Sequence, residues 1–512
     1  MRTVLTVRRN LAIAAAIASI LAVSGTAFAA TPISGMSPYP DGGDPTDPVA
    51  VTACNETPQL GRLYRNSETE PYLAVNPTDP DNMIAAWHQD RWSNGGAQGV
   101  LSAHSFDGGL TWEPVNIPFS RCAGGTAGST GDFERASDPW ISFGPDGTAY
   151  YMALVFNRGN GVNGMAVAKS RDGGLSWSEP VIIKQSHAQG EKARAAGHDK
   201  NSLTADPYDP NLVYATWTVF RNNKTTLVFA RSTDGGETWG PARPVNHFEV
   251  VDPPNQARFR QGTQIVVLPD GTLVNAFFRT IVDPRGGGAT VGIEQAIFRS
   301  YDQGQHWERL DTTVAPFAPS GGLDVELGIF VRDAGTLPDI AVDRNTGTIY
   351  IVWQDGRLSP FGASNILAAV SPDGGDTWEG PIAVTNSPTN QAFLPTIAVA
   401  DNGTVGVLFY DFRNDVFGDA ELTTDVWLIT VDTDGNFLEE RLTDQSFDMR
   451  QMVLAGGYFP GDYVGLDTSG NDFVAAFTVA NNLGLPVEIP DNSELTVDEN
   501  NRQDIVFKRV QR

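Results

Sequence analysis

Residue types that mark several common classes of protein are scarce in this chain. Its 512 residues include 2 cysteines and 6 histidines. It contains no His-Glu-x-x-His zinc motif and no Gly-x-Ser-x-Gly elbow of the serine hydrolases. Basic residues are few, with 35 Lys and Arg against 61 Asp and Glu and a formal net charge of −26. The sequence therefore offers no basic surface for nucleic acid, and we expect no such partner.

Long apolar runs are confined to the N-terminus. The first 29 residues combine a basic opening, an apolar run from Leu11 to Val23 and the small-residue sequence Ala27-Phe28-Ala29. This pattern predicts a signal peptide, residues 1–29, cleaved after Ala29, and a secreted, extracellular protein without membrane insertion. Residues 30–47 are rich in Pro, Gly and Asp, which predicts a flexible leader because such a composition cannot bury a core.

One motif, Ser-x-Asp-Gly-Gly-x-Thr-Trp, organises the rest of the chain. An Asp followed by two glycines predicts a tight hairpin turn, because the carboxylate accepts nearby backbone N–H groups and glycine adopts positive φ without steric cost. The Trp that follows can bury its ring between sheets. Four close copies and one looser copy recur about every 65 residues, at 105–112, 170–177, 232–239, 300–307 and 371–378.

The motif resembles the Asp box, or BNR repeat, of sialidase-like β-propellers. The resemblance implies a propeller that binds carbohydrate. In that family the boxes lie on turns away from the ligand face, so a catalytic role is not expected for the aspartates of the motif, Asp107, Asp172, Asp234, Asp302 and Asp373.

A second repeat gives the number of units. It is an apolar strand, a polar turn and a strand of β-branched and aromatic residues, and it occurs at 72–87, 140–156, 203–217, 263–278, 340–353, 396–410 and 463–477. With a third strand, the turn motif and a fourth strand, it predicts one all-β domain, residues 48–512, folded as a seven-bladed β-propeller of four-stranded blades. The seventh unit lacks a fourth strand, and Pro48 to Thr52 matches the fourth strand of the fifth unit, 381–385. We therefore expect this N-terminal strand to close the ring of a monomeric protein.

The two cysteines fit a closed ring. Cys54 follows the predicted closing strand and Cys122 follows the fourth strand of the first unit. Both are expected at outer strand ends of adjacent blades. In an oxidising compartment this placement favours a Cys54–Cys122 disulfide, with two free thiols as the alternative.

Function is expected where the repeat fails, because a residue that chemistry needs once has no reason to recur in every blade. Long, dissimilar connections open around the central channel, which is the usual place for binding and catalysis. The candidates at the entry to the innermost strands are Glu70, Asp138, Asp199 and Asp462, with His198, Lys200, Arg260 and Tyr463 beside them. Further loop carboxylates without an evident partner are Asp132, Glu134 and Glu191.

Arginines recur at or just after the ends of the second strands. Six units carry one, at Arg91, Arg158, Arg221, Arg279, Arg357 and Arg413. One interpretation is a cationic rim that grips a carboxylate or sulfate by bidentate pairing. The other is a set of salt bridges between blades, which regular recurrence favours, and two or three arginines released for ligand would satisfy both.

The resemblance to sialidases implies a chemistry for these residues. In that family arginines bind the substrate carboxylate, a tyrosine activated by a glutamate is the nucleophile and an aspartate is the acid/base. The Phe/Tyr-Arg-Ile-Pro signature is absent here, and the nearest stretch is Tyr64-Arg65. By position alone, Asp138 or Asp199 is the acid/base candidate, Tyr458 and Tyr463 are nucleophile candidates, and Asp462 completes the catalytic set.

The sequence therefore predicts a secreted exo-glycoside hydrolase of sialidase type that acts on an anionic glycan. Substrate binding is assigned to Glu70, His198, Lys200, Arg260 and the recurring arginines, and no cofactor or metal is expected. Two alternatives remain open. One is a non-catalytic carbohydrate- or protein-binding propeller whose arginines pair internally. The other is a polysaccharide lyase that uses His198, Tyr463 and an arginine.

Overall fold

The computed structural model describes residues 29–39, 54, 59–186, 197–221, 224–245, 256–282, 290–359, 362–385, 387, 389–485 and 496–512. The fold over these residues is all-β, and their only helical turn is a 3₁₀ turn at Met449–Gln451. The prediction of an all-β propeller is confirmed. None of the described segments forms a helix long and apolar enough to cross a membrane.

The N-terminal part of the chain forms two short strands and two antiparallel meanders. The short strands are β1 (Thr31–Pro32) and β2 (Arg62–Tyr64). The first meander is β3 (Thr69–Asn76), β4 (Asp79–Trp92), β5 (Ala97–Ser105) and β6 (Glu113–Asn116). The second is β7 (Arg135–Phe143), β8 (Ala149–Phe156), β9 (Asn163–Ser170) and β10 (Val181–Ser186).

Two further four-stranded sheets and a small hairpin occupy the middle of the chain. The first sheet is β11 (Gly197–Ala205), β12 (Val213–Arg221), β13 (Lys224–Ser232) and β14 (Arg243–Pro244). The second is β15 (Gln256–Val267), β16 (Leu273–Val282), β17 (Thr290–Ser300) and β18 (Thr312–Pro316). The hairpin is β19 (Leu323–Asp324) and β20 (Ile329–Phe330).

Three sheets complete the fold. One is β21 (Asp339–Val342), β22 (Ile349–Asp355), β23 (Asn365–Ser371) and β24 (Glu379–Ala383). The next is β25 (Phe393–Val399), β26 (Val405–Asp411), β27 (Thr423–Val431) and β28 (Phe437–Arg441), with β29 (Phe447–Asp448) added to β27. The last contains β30 (Gly465–Ser469), β31 (Asp472–Ala480) and β33 (Gln503–Val510), while β32 (Thr496–Asp498) pairs with β2.

The number of separate blades differs from the prediction of seven. Five blades are separate sheets of four or five strands, beginning at β11, β15, β21, β25 and β30. The first two units lie instead in one ten-stranded sheet, because β5 and β7 pair at Ala97 and Ala136. The prediction of seven separate blades is therefore wrong, although both fused units keep their antiparallel strand order.

The last sheet is closed by a different N-terminal strand from the one expected. β1 pairs antiparallel with β33, which places Thr31 opposite Phe507. This strand belongs to the segment that the sequence predicts to be a flexible leader. The segment is instead attached to the fold: Ile33 is buried, and Ser34 Oγ donates to Asp504 at 3.0 Å. The expected closing strand, Pro48 to Thr52, lies outside the described residues.

Apolar side chains packed between neighbouring sheets form the core. Trp87 on β4 and Phe507 on β33 belong to one such layer, and Tyr214 on β12 and Phe298 on β17 belong to another. Trp87 and Phe298 are fully buried. Burial of a large apolar side chain contributes about 1.5–3 kcal/mol, so these layers hold successive sheets around the axis.

The predicted turns are present, and each satisfies its aspartate locally. In the third copy, Asp234 accepts the Ser232 hydroxyl at 2.7 Å and the backbone N–H of Thr238 at 2.9 Å. Gly235 and Gly236 have φ of +65° and +76°, a region that favours glycine. The same serine-to-aspartate bond forms in the other copies, at 105–107, 170–172, 300–302 and 371–373.

The predicted disulfide is confirmed. Cys54 and Cys122 are joined, with their Cα atoms 5.1 Å apart. The bond spans 68 residues and ties the segment before β2 to the loop after β6. It therefore links the N-terminal region to the first unit.

Candidate functional site

A narrow cavity lies where the innermost strands of successive sheets meet. Its volume is about 40 Å³, and its lining includes Tyr72, Lys200, Thr263, Thr396 and Tyr463. The first four of these residues lie in four different sheets, and Tyr463 lies just before β30 of a fifth sheet. The cavity is therefore the axial channel of the propeller.

Three β-bulges place polar side chains at one end of this channel. The registers of β3, β7 and β11 shift at Glu70, Asp138 and Lys200, whose φ angles are 54°, 52° and 51°. A non-glycine residue in this region costs about 1–3 kcal/mol, and such strain is concentrated at functional sites. The bulges converge, since the backbone N–H of Lys200 donates to Oδ2 of Asp138 at 3.0 Å.

Lys200 is the centre of a charged cluster. Its Nζ forms an ion pair with Oδ2 of Asp462, and Nη2 of Arg332 lies 3.3 Å from the same oxygen. The Lys200 and Asp462 side chains are 12% and 4% exposed. Burial alone would raise the pKa of Asp462, but Lys200 and Arg332 hold it far below its ordinary value. Asp462 is therefore ionised.

Asp199 occupies the solvent side of the same lysine. Its Oδ1 accepts the backbone N–H of Lys200 at 2.9 Å and lies 4.0 Å from Nζ. The side chain keeps 38% of its surface exposed. Burial of the carboxyl against the channel mouth raises the pKa of Asp199 to about 7. The charge of Lys200 lowers this pKa, and the charges of Asp138 and Asp462 offset part of that lowering. Asp199 can therefore give up or take a proton near neutral pH.

Glu70 and His88 form a neutral pair behind Lys200. Nε2 of His88 accepts the backbone N–H of Asp138 at 3.0 Å, so this nitrogen carries no proton. Oε2 of Glu70 lies 3.1 Å from the same nitrogen, a contact that is attractive when the carboxyl is protonated. Burial raises the pKa of Glu70 well above its ordinary value and lowers that of His88 well below it. Both shifts favour the uncharged forms.

Three side chains around this pair are close enough together to be considered as metal ligands. Glu70, His88 and Asp138 each offer one ligand atom, and these atoms lie within 4.8 Å of one another. A metal ion needs ionised carboxylates and an open nitrogen, whereas the N–H of Asp138 already occupies Nε2 and burial favours protonated Glu70. The geometry fits a neutral acid–histidine pair better than a metal centre.

Aromatic rings line the channel beside the charged cluster. Tyr72 stacks on Trp140 with ring centroids 4.0 Å apart, and Tyr463 meets Trp140 edge-on at 5.3 Å. The Tyr463 hydroxyl donates to the carbonyl of Pro139 at 2.9 Å, and burial raises its pKa well above the ordinary value. Tyr463 is therefore engaged in packing, which is contrary to its predicted role as nucleophile, because an activated hydroxyl must be readily deprotonated.

Tyr458 has a similar structural position. It is fully buried, and its hydroxyl donates to Oδ2 of Asp324 at 3.2 Å. Burial raises its pKa above the ordinary value, and the charge of Asp324 raises it further. The structure therefore does not support Tyr458 as the nucleophile either.

Several of the predicted arginines are engaged within their own sheets. The ion pairs are Arg279 with Glu294 and Asp311, Arg357 with Asp355, Arg413 with Asp411 and Glu439, and Arg260 with Asp311. The recurring arginines Arg279, Arg357 and Arg413 therefore form neither a free cationic rim nor bridges between blades. Each acid lies within the sheet of its arginine or, for Asp311, directly before a strand of that sheet.

The three remaining arginines differ from one another. Arg91 is buried, and its Nη1 donates to the carbonyls of Trp92 at 2.5 Å and of Gly96. Its guanidinium carbon also lies 4.7 Å from the ring centroid of Phe459. Arg158 and Arg221 are exposed near the ends of β8 and β12. Among the six recurring arginines, Arg357 is also exposed, but it is paired with Asp355.

His198 is integrated in the core. Its Nδ1 accepts the indole N–H of Trp217 at 2.9 Å, and its Nε2 contacts the Ser186 hydroxyl at 2.8 Å. Burial lowers the pKa of His198 to about 4. Both ring nitrogens are used, which is contrary to the predicted role in substrate binding.

The loop carboxylates are mainly structural where they are described. Asp132 pairs with Arg121 at 2.6 Å. Glu134 is buried and accepts the backbone N–H of Arg158 at 2.6 Å. Glu191 lies outside the described residues.

Two important members of the cluster, His88 and Arg332, are not among the residues predicted from the sequence. His88 directly follows the apolar run Met83–Trp87 on β4, and an ionisable side chain at the end of such a run was an available signal. Arg332 follows β20 within a long irregular connection, and no pattern in the neighbouring sequence indicates that it belongs to the site. Its side chain is 35% exposed and its guanidinium carbon lies 4.2 Å from the ring centroid of Phe459.

The β19–β20 hairpin flanks the cluster and exposes apolar side chains. Arg332, just after β20, donates its backbone N–H to the carbonyl of Tyr458 at 2.8 Å. Arg450 anchors the hairpin by pairing with Asp324 at 2.8 Å and with Glu326 at 2.6 Å. The exposed fractions are 60%, 50% and 64% for Val325, Leu327 and Phe330. An apolar rim therefore stands next to Arg332.

Comparison with known proteins finds one curated relative. No family model matches the chain. The chain is 24% identical over 306 residues to a sialidase from Bacteroides fragilis (strain YCH46), which covers 48% of this chain and 53% of that protein. The chain thus spans about half the length of the curated relative that it matches.

Solved structures with similar folds include two glycosidases. A Hadza microbial sialidase has a TM-score of 0.45 and 15% identity, covering 84% of this chain and 74% of that one. An α-L-arabinofuranosidase from Fusarium graminearum, solved with an iminosugar inhibitor, has a TM-score of 0.46 and 12% identity, covering 80% and 98% of the two chains. Both TM-scores are below 0.5, so the structural likeness is loose.

Proposed function

We propose that this sialidase-like β-propeller is a secreted glycoside hydrolase with Asp199 as its acid/base. The proposal depends on one observation: Lys200 contacts two carboxyls whose pKa values are far apart, an ionised Asp462 and Asp199 near 7. Two acids separated in this way are typical of glycosidases, where one protonates the leaving oxygen and the other, ionised, stabilises positive charge on the sugar. The similarity to the Bacteroides fragilis sialidase supports the same class.

Of the two acid/base candidates, Asp199 fits better than Asp138. Asp138 is buried, and its two oxygens accept the Ser137 hydroxyl at 2.7 Å and the Lys200 N–H at 3.0 Å. Asp199 has an exposed side chain that a substrate can reach. Since Asp138 and Asp199 each place an oxygen within 3.0 Å of the same nitrogen, these oxygens are at most about 6 Å apart. Asp138 is then a positioning residue that orients Lys200.

We further propose an anionic glycan as the substrate. Arg332 supports this choice, because its guanidinium is 35% exposed beside Asp462 and can pair with a substrate carboxylate. Arg158 and Arg221 add exposed positive charge. A lyase is less well supported, since His198 and Tyr463 are both engaged in the fold.

The acid/base role is tested with two leaving groups. In Asp199→Asn, we expect turnover of an α-sialoside with a poor alkyl leaving group to fall by about 10³-fold, because that oxygen must be protonated as it leaves. A dinitrophenyl leaving group needs no proton, so its rate should fall by less than about 10-fold. The matched control is Asp376→Asn, an exposed aspartate in the fifth turn motif. Equal losses for both leaving groups would contradict the acid/base assignment.

The substrate charge is tested separately with Arg332→Met. We expect KM for an α-sialoside to rise about 10-fold or more with kcat changed less, because the arginine binds a carboxylate that does not react. KM for an uncharged α-L-arabinofuranoside should be unchanged. If the folded wild-type protein turns over no glycoside of the panel but binds glycans, the non-catalytic binding propeller is the correct interpretation.

A further inference from the structure

The residue that follows the predicted cleavage point already contacts the propeller. The backbone nitrogen of Ala30 donates to Oδ2 of Asp444 at 2.8 Å. Ala30 packs against the apolar cluster of the last two sheets, whereas Ala29 is exposed. The strand β1 begins at the very next residue. No spacer therefore separates the predicted cleavage point from the folded domain.

We propose that cleavage after Ala29 creates an N-terminal ammonium that pairs with Asp444 and fixes the closing strand β1. Water adds across the Ala29–Ala30 peptide bond, so that Ala29 leaves with a new carboxylate and Ala30 keeps a new amine. Below its pKa this amine binds a proton and becomes an α-ammonium. A neutral N–H donor at Asp444 is thereby replaced by a cation.

Asp444 has one oxygen available for each of two cations. Its Oδ1 lies 2.8 Å from Nζ of Lys508, and its Oδ2 is the oxygen that Ala30 contacts. Lys508 is 3% exposed and lies on β33, the partner strand of β1. Burial alone would raise the pKa of Asp444, but the contacts of Lys508 and Ala30 lower it, so the carboxylate is ionised. The ion pair would then join β1, β33 and the loop after β28.

The register of β1 makes the contact specific for a chain that begins at Ala30. Ile33 donates its backbone N–H to the carbonyl of Ile505 at 2.9 Å, and Ile505 donates its own to the Ser34 hydroxyl at 2.8 Å. These bonds fix the position of the preceding residues. A start one residue earlier or later moves the amine by about 3.3 Å along the strand, beyond hydrogen-bond distance of Oδ2. The proposal therefore specifies the mature N-terminus.

The first test is to sequence the N-terminus of the exported protein and to titrate its amine. The full chain is expressed with export, and the amine is labelled by ¹³C reductive dimethylation, which preserves its charge. We expect sequencing to begin at Ala30 and the amine to titrate about half a pKa unit above the same protein unfolded in urea, where the ordinary value is about 7.7–8.0. A different mature start, or identical titration of folded and unfolded protein, would overturn the proposal.

Substitutions distinguish the partner of the amine. In Asp444→Asn the raised amine pKa should return to its unfolded value, and the matched control Asp434→Asn, an exposed aspartate of the sixth unit, should retain the shift. Lys508→Gln should also retain the raised amine pKa, because Oδ2 of Asp444, the oxygen that contacts Ala30, is unchanged. If Asp444→Asn does not fold, the folded and unfolded wild-type titrations still decide. An unchanged shift in folded Asp444→Asn would refute Asp444 as the partner.

Discussion

At the scale of single residues, Lys200 performs two separate tasks. Its backbone N–H, held at positive φ, bonds to Asp138 and Asp199. Its ammonium keeps Asp462 ionised, although Asp462 is 262 residues further along the chain. A substitution can remove the second task and leave the first, because the backbone N–H is common to all residues except proline.

Lys200→Met is expected to destabilise the fold by about 3 kcal/mol. The change leaves a buried carboxylate with Arg332 as its remaining cation, and breaking a buried ion pair costs about this much. Urea unfolding of both proteins measures the difference. Lys169→Met is the comparison, since its partner Glu237 is 55% exposed and water screens that pair, so the expected loss of stability is much smaller. Equal losses in the two variants would show that burial of the Lys200 pair is unimportant.

The raised pKa of Asp199 predicts a pH dependence of activity. An acid with a pKa of about 7 holds its proton below neutral pH, so kcat/KM should fall as pH rises above about 7. In Asp199→Asn, this alkaline limb should be absent from the residual activity. A pH–rate profile on an alkyl glycoside measures it. An unchanged limb in the variant would assign the ionisation to another group.

Asp199 contributes to folding stability at low pH, whereas a carboxylate with a lowered pKa contributes at high pH. Its folded-state pKa lies above the unfolded value of about 3.9, so its contribution to stability is fully present below about pH 4 and is lost as pH rises through 7. This residue is therefore favourable for the fold as an acid and unfavourable as an anion. The unfavourable form is retained at a solvent-facing position of the candidate site.

At the scale of elements, the turn motif and the bulges show what sequence reveals and what it misses. The turns were predicted because their Ser, Asp, Gly and Thr residues bond to one another within seven residues. The entry positions Glu70 and Asp138 were also found, because they stand just before the strands that the sequence predicts from residues 72 and 140. Their left-handed φ and the short contact of Glu70 with His88 were not, since both depend on packing against other strands. Neither has a signature in neighbouring residues.

Asp234→Ala is expected to lower stability by about 1 kcal/mol and to leave activity unchanged. The aspartate accepts bonds only within its own turn, and a typical hydrogen bond contributes about 1 kcal/mol. These bonds lower the pKa of Asp234 to about 2, so its contribution is present above about pH 4 and is lost as pH falls through 2. Thermal unfolding at pH 7 and pH 2 tests both points. A loss of activity in the folded variant would contradict the structural role of this turn.

At the scale of the whole molecule, the sequence predicts that an N-terminal strand closes the last sheet, but it does not predict which strand. The missing fourth strand of the last unit indicated that an N-terminal strand must supply it. Pro48 to Thr52 was chosen as the closing strand because its sequence resembles a strand of the fifth unit. The strand that closes the sheet is β1, and its segment contacts β33 through residues 470 positions apart, which no local sequence pattern reveals. The fusion of the first two units rests on a single alanine pair, which no side-chain pattern can indicate.

Removal of the disulfide is expected to destabilise the whole propeller. The bond closes a loop of 68 residues, for which loop-closure entropy predicts about 4 kcal/mol. Cys54→Ser with Cys122→Ser should therefore unfold at lower urea concentration than the wild type, and a reductant should affect only the wild type. Coincident unfolding of the oxidised wild type and the double variant would show that the bond contributes little.

The pairing of β1 with β33 has a consequence for the order of folding. Ser34 and Asp504 are 470 positions apart in the sequence, so the final sheet cannot be completed until the residues between them have been synthesised. Until β1 pairs with it, β33 offers an open edge to any suitable strand, including β1 of a second molecule. Refolding should therefore become concentration-dependent, with strand-exchanged dimers forming in crowded solutions and intramolecular closure in dilute ones.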